Sequence, residues 1–304
     1  MILEVTIENI LSFKDKVTFD FTNVTAITGN NNSGKTNLLK ILNLVILMIK
    51  NNTNNLNSFM YNNDISSFEI TFITKDKKYT YSFTFTKNNI IKEYLYCYED
   101  KVKTIIYRRD NNNYDFQEES LKAISNRVLN NRLFLSYSKD LEKLKDIYHF
   151  LTYNIGVCFD INNLIELSFK IYIKDINNKL KPYILDFFKK MDINIIDYKV
   201  TPIKLGENIG YSTKFKHTLS NKNYIIDYGD EALSIRYIFA LIPFVLRSVE
   251  ENKVLIIDDL DSILDNKIII EIINMFNKGQ LIFTYHNNYK FTCNIINLKK
   301  SICN

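Results

Sequence analysis

An α/β fold is the first expectation from this 304-residue sequence, and three observations carry it. The apolar run Val24-Thr25-Ala26-Ile27-Thr28 leads through a glycine-bounded loop into the helix-periodic Asn37-Leu38-Leu39-Lys40-Ile41-Leu42. Segments 68–74 and 79–86 alternate with period two across a polar turn at Asp76-Lys77-Lys78, which is the pattern of an antiparallel hairpin. Towards the other end, Val254-Leu255-Ile256-Ile257 opens a strand, helix, strand order of the kind that builds a parallel sheet.

Taken in order, Ile2 to Ile7 and Val17 to Phe21 read as strands joined by a loop, and the helix after the glycine-bounded loop runs to about Ile49. The asparagine clusters 51–55 and 111–113 are loops. Ile90 to Cys97 and Val102 to Tyr107 extend the hairpin into a meander. From about Tyr114 to Asp192 the period becomes helical, with Leu141, Leu144, Ile147 and Tyr148 on one stripe and Ile184, Leu185, Phe187 and Phe188 in a later one. Strands return at Ile195 to Thr201 and Lys214 to Leu219, and Tyr224-Ile225-Ile226-Asp227 leads into a helix from Asp230 to about Ser248 that carries Pro243 inside it. A strand at Val254 to Asp258, a helix at Ile263 to Phe276 and a strand at Leu281 to Thr284 follow. The expected organisation is one domain over 1–304, divided into an N-lobe at 1–110, a helical insertion at 111–192 and a C-lobe at 193–304.

Hydrophobic residues make up 46% and charged residues 24%, which is the balance of a folded globular chain and excludes a disordered one. No run of eighteen apolar residues occurs, and Met1-Ile2-Leu3-Glu4-Val5 lacks the layout of a secretory signal, so a cytoplasmic protein without membrane insertion is expected. Cys97, Cys158, Cys293 and Cys303 show no C-x-x-C spacing, which argues against a zinc site or a disulfide framework. The net charge of +5 is spread along the chain and gives nucleic-acid binding only weak support.

Gly29-Asn30-Asn31-Asn32-Ser33-Gly34-Lys35-Thr36 is a complete G-x-x-x-x-G-K-[ST] phosphate-binding loop. Such a loop turns tightly and aims successive backbone N–H groups at phosphate oxygens, which requires backbone angles that a Cβ forbids. Lys35 then reaches the β/γ phosphates, the Thr36 hydroxyl ligates magnesium, and phosphate sits at the start of the helix opened by Asn37. About 220 residues later the apolar run 254–257 ends in Asp258 and Asp259, the layout of a Walker B element. Asp258 is positioned to hold magnesium, and Asp259 to act on water as general base, one methylene shorter than the glutamate common in hydrolytic ATPases. A third strand, Leu281-Ile282-Phe283-Thr284, ends at Tyr285-His286, where an imidazole can contact a γ-phosphate and the attacking water.

Together these residues resemble the AAA-type ATPases of the ATP-binding-cassette superfamily related to SMC, RecF and OLD proteins, notably small bacterial members from phage-defence and restriction loci. Ile2 to Asp15, with Asn9-Ile10-Leu11-Ser12-Phe13, is similar to the family's first strand and the turn that approaches adenine and ribose. Leu260-Asp261-Ser262-Ile263-Leu264 resembles its D-loop and Thr284-Tyr285-His286-Asn287 its switch histidine. The likeness spans about 1–42 and 230–288. It implies an ABC-type P-loop NTPase head with an N-terminal antiparallel β subdomain and a helical insertion. It also implies a dimer closed around ATP, in which Ser234 of the altered signature Glu231-Ala232-Leu233-Ser234-Ile235 meets the nucleotide of the opposite subunit.

The function implied is slow ATP hydrolysis, with ATP and Mg2+ as cofactors, coupled to a partner effector such as a nuclease in anti-phage defence. Asp259 and the altered signature also suit an ATP-loaded structural or sensor subunit that barely hydrolyses. A RecF-like repair ATPase that binds DNA is the third alternative.

Overall fold

The computed structural model describes residues 1–53, 56–62, 64–100, 102–175, 177–205, 208–220, 222–287 and 289–298. Strands β1 (Ile2–Glu8), β2 (Val17–Asp20) and β3 (Val24–Gly29) lead into α1 (Lys35–Asn51). Next come β4 (Ser66–Thr74), β5 (Lys77–Phe85), β6 (Ile90–Glu99), β7 (Val102–Asp110), β8 (Asn113–Phe116), α2 (Glu142–Tyr153), β9 (Ile155–Cys158), α3 (Ile161–Lys174) and α4 (Lys181–Lys190). Then follow β10 (Ile195–Leu205), β11 (Asn208–Leu219), β12 (Lys222–Asp227), α5 (Leu233–Glu250), β13 (Val254–Ile257), α6 (Asn266–Met275), β14 (Gln280–Thr284) and β15 (Asn294–Leu298).

A five-stranded parallel sheet in the order β15-β3-β14-β13-β9 sits at the centre. Its inner strands β13 and β14 are buried throughout because both faces are covered. Side chains alternate: Ile27, Val254, Ile256 and Ile282 join one core with α1, α2 and the large antiparallel sheet, whereas Ala26, Leu255, Ile257, Leu281 and Phe283 join a second core with α3 to α6. The antiparallel sheet runs β2-β1-β4-β5-β6-β7-β8, and a separate one runs β10-β11-β12. Buried Gln280 ties the first sheet to the centre, since its amide accepts from Ile2 N at 2.7 Å and donates to the carbonyls of Ile2 (2.7 Å) and Thr22 (2.8 Å).

Several expected boundaries move for identifiable reasons. The β4–β5 hairpin turns at Lys75 and Asp76, both at positive φ, so Thr74 pairs with Lys77 and the turn lies earlier than the Asp76–Lys78 reading. The last helix begins at Asn266 instead of Ile263 because the Asp265 side chain caps it, accepting from Ile268 N at 3.0 Å. The segment 114–192, read as helical, also holds most of β8 and all of β9, and β9 pairs in parallel with β13 from Ile155↔Val254 to Cys158↔Ile257. Strand β15, absent from the sequence reading, covers the outer edge of β3. Cys97 is buried, Cys158 and Cys293 are partly buried free thiols, and Cys303, Asn54 and Asn55 lie outside the described residues. No helix among the described residues is long and apolar enough to cross a membrane.

Helix α5 continues through Pro243, which has no N–H to donate to the carbonyl of Phe239 one turn earlier. The Tyr172 hydroxyl on α3 donates to that carbonyl instead, at 2.7 Å, and its ring stacks on Phe239 at 4.3 Å between centroids. Tyr172→Phe should keep the stack and strand the carbonyl, destabilising the fold by about 1–3 kcal/mol. Chemical denaturation of the two proteins checks this, and equal midpoints would refute it.

Candidate functional site

Strand β3 ends at Gly29, whose φ is +150°, and a Cβ there would lie 2.4 Å from the Leu298 carbonyl oxygen of β15. Glycine is therefore imposed by the neighbouring strand as well as by the turn. Gly34, at φ 92°, directly precedes α1, so the loop closes onto the N-terminus of that helix and its unpaired N–H groups. Lys35 is buried and donates from Nζ to the carbonyls of Gly29 (2.8 Å) and Asn30 (3.1 Å). Desolvation draws its ammonium below the usual lysine range, opposed by the carboxylates of Asp259, Asp258 and Asp261.

Because β3, β14 and β13 are adjacent and parallel, their C-terminal ends deliver residues far apart in sequence to one place. Thr36 Oγ1 lies 3.3 Å from Asp258 Oδ1, and Thr284 Oγ1 donates to the same carboxylate oxygen at 2.6 Å. Thr284 also accepts from Asp259 N at 2.7 Å, so its buried hydroxyl fixes both acidic residues. With its single proton spent on Asp258, the 3.4 Å approach to Asp259 Oδ1 is a contact without a hydrogen bond. Asp259 adopts φ 48° and ψ 50°, a left-handed conformation that aspartate tolerates better than most residues and that turns its side chain toward His286. His286 Nε2 meets Asp259 Oδ1 at 2.7 Å. The loop bearing this histidine is held by the Asp261 carboxylate, which accepts from the backbone N–H groups of His286 (2.9 Å) and Asn287 (2.8 Å).

A cleft of about 660 Å³ results, lined by Ser12, Asn31 to Asn37, Asp259 and His286. Residues read from the two ends of the chain thus share one cavity. Gly29 and Asn30 are not among the lining residues but accept at their carbonyls from Lys35 Nζ, and Asp258 stands next to Thr36. Ser234 is not among the lining residues; it sits in the first turn of α5. Glu231 just before it is buried against His217 of β11, Oε1 to Nε2. The oxygen donors Thr36 and Asp258 beside the glycine-bounded loop and the N-terminus of α1 suit a hard divalent cation and phosphate. No cluster of three or more His, Cys, Asp or Glu arranged around a metal occurs among the described residues, so such a cation would depend on phosphate and water for its other ligands. Sequence reasoning gave no role to Thr284, and it placed Ser12 only within the turn that the resemblance sets near adenine and ribose; the signal for Thr284 was a hydroxyl residue closing an otherwise apolar strand.

A family profile described as "AAA domain, putative AbiEii toxin, Type IV TA system" matches residues 24–289. Among solved structures, the chain is similar to one described as "SMC head domain from Thermotoga maritima", with 13% identity, 94% of this chain and 89% of that chain covered, and a TM-score of 0.48. It is also similar to one described as "Crystal structure of the SmcHead bound to the C-winged helix domain of ScpA", with 12% identity, coverage of 94% and 90%, and a TM-score of 0.52. The latter likeness is one of fold, an α/β P-loop NTPase head. No curated protein matches.

Proposed function

The chain belongs to the AAA domain family whose profile spans residues 24–289, and from that premise we propose that it binds ATP with magnesium, hydrolyses it slowly, and closes as a dimer that gates a partner effector. The amides from Gly29 to Thr36, the Lys35 ammonium and Asn37 in the first turn of α1 hold the phosphates. Bound ATP would supply the phosphoanhydride bond, with a magnesium charge held by Thr36 and Asp258. Asp259 accepts a proton from the attacking water, and His286 orients the Asp259 carboxylate. Ser234 acts on the nucleotide of the second copy.

One observation carries this reading: the hydrogen-bonded pair Asp259–His286 faces Lys35 and Thr36 across a single cleft. The SMC head bound to a winged-helix domain supports a docked protein partner as the recipient of the nucleotide state. The family description, which names a toxin of a type IV system, supports a cytoplasmic defence setting. The whole chain works as one ATPase domain, with lobes at 1–110 and 193–304 and the intervening 111–192 as the partner contact. The altered signature favours a second reading, an ATP-loaded sensor with little turnover, because Glu231 is already engaged by His217 of its own chain.

Lys35→Ala should weaken ATP binding by about tenfold to a hundredfold, the worth of a charge-assisted hydrogen bond to phosphate. Titration calorimetry with ATP and magnesium measures this, and equal affinity of variant and parent would sink the proposal. ATP retained unhydrolysed for hours by the parent protein would select the sensor reading.

A further inference from the structure

Strands β10, β11 and β12 carry five lysines against two aspartates, a large share of the chain's net +5. One face of this sheet is spent on packing, since Tyr198 and Phe215 are buried in the second core. The other face holds an open cavity of about 500 Å³ whose lining includes Lys199, Lys214, Lys216, Thr201, Ser212 and Asp197.

The register on this face leaves one like-charged pair and an excess of cations. Lys199 stands directly opposite Lys214, whereas Lys216, two residues along the same strand, stands opposite Asp197, and Lys214 stands opposite Asp227 on its other side. Like charges paired across strands are destabilising. Two carboxylates offset this only in part: Asp197 pairs with Lys181 at 2.5 Å, and Asp227 with Lys214 at 3.7 Å. Lys199 and Lys216 form no ion pair among the described residues.

Three features select the anion. Cations on alternate residues of a strand recur about every 6.8 Å, close to the phosphate repeat along an extended single-stranded nucleic acid. The hydroxyls of Thr201 and Ser212 continue the row as neutral donors to phosphate oxygens. All the cations are lysines, point charges suited to tracking a phosphate backbone, with none of the forked guanidinium groups that favour paired recognition of carboxylates. The geometry points to a binding face on β10 to β12 for the phosphodiester backbone of a single-stranded nucleic acid. It stands apart from the nucleotide cleft and does not depend on the ATPase reading.

The test uses the full chain without ATP and a fluorescein-labelled 20-mer of oligo(dT), followed by anisotropy across a salt series. Binding is expected, with the slope of log K against log salt falling by about two in the triple variant Lys199→Ala/Lys214→Ala/Lys216→Ala, near 0.7 for each lysine lost. A control variant, Lys87→Ala/Lys122→Ala/Lys278→Ala, should bind as the parent does. The triple variant should stay folded, because the Lys199–Lys214 repulsion it relieves offsets the exposed Lys214–Asp227 pair it loses, and a thermal midpoint close to the parent's checks this. No binding by the parent, an unchanged slope in the triple variant, equal loss in the control, or preferential binding of a poly-glutamate peptide would each overturn the assignment. Lys35→Ala should bind the oligonucleotide normally, which separates this result from failure of the ATP site.

Discussion

Asp259→Asn is expected to lower ATP turnover by about 10²–10⁴-fold, the usual contribution of a general base, while leaving ATP affinity nearly unchanged. The asparagine side chain has the same shape, and the backbone N–H at 259 still donates to Thr284 Oγ1, so the left-handed turn should persist. What disappears is the carboxylate that meets His286 Nε2 at 2.7 Å and can accept a proton from water. Lys35, Thr36 and the loop amides, the groups proposed to hold phosphate, are untouched by the change. Phosphate release measured beside calorimetric ATP binding separates the two effects. Turnover within twofold of the parent would remove Asp259 from the chemistry.

Glu93→Ala is expected to destabilise the protein by about 3–5 kcal/mol, the typical cost of leaving a buried charge without its partner. Glu93 and Arg109 are both fully buried and face each other in register on β6 and β7, with Nη1 and Oε2 3.8 Å apart. Glu93 also accepts from the hydroxyls of Tyr81 (2.9 Å) and Tyr107 (2.8 Å) and from the backbone N–H groups of Phe134 (2.7 Å) and Leu135 (3.1 Å). Arg109 spends its donors on the carbonyls of Asn111, Leu129, Asn130 and Arg132. Burial raises the Glu93 carboxyl above its ordinary value of 4.5, against the opposing pull of Phe134, Leu135 and Arg109. A raised native pKa means that the folded state holds its proton longer, so this group makes stability fall as pH rises from 4.5 through the native value. Denaturation of parent and variant from pH 4 to 8 should show both the loss and a flatter slope in Glu93→Ala. A loss below about 1 kcal/mol would mean that the network is solvated in solution.

How legible this was depends on what each strand leads into. The phosphate loop, Asp258, Asp259 and His286 were readable because each brings polar, chemistry-bearing residues directly after an apolar run, and parallel pairing of β3, β14 and β13 then brings them together. Strand β9 was not, because Ile155-Gly156-Val157-Cys158 is interrupted by glycine and lies between two helices, so only its pairing with β13, itself four residues long, defines it. β15 escaped notice for a similar reason, being a short polar-interrupted run whose partner is the phosphate-loop strand. Glu93 and Arg109 left a signal that was not used: each shares strand parity with buried neighbours, Glu93 with Leu95 and Cys97, Arg109 with Tyr107. A charge in phase with a core face predicts a partner on the next strand. Thr284 left only a hydroxyl at the end of an apolar strand as its trace, and its contacts with Asp258 and Asp259 arise from the parallel pairing of β14 and β13.

Helix α1 is gripped at both ends. Its first residues are Lys35 and Thr36, while near its last turn Met48 accepts at its carbonyl from Ser136 Oγ at 3.2 Å, in the short turn whose N–H groups Glu93 holds. Seventeen helical residues form a strut of about 25 Å. Such a strut bends little, so a shift imposed on the phosphate end is delivered to the 134–137 turn as a push along the axis. The antiparallel sheet would then receive the state of the cleft mechanically, at a surface well away from it.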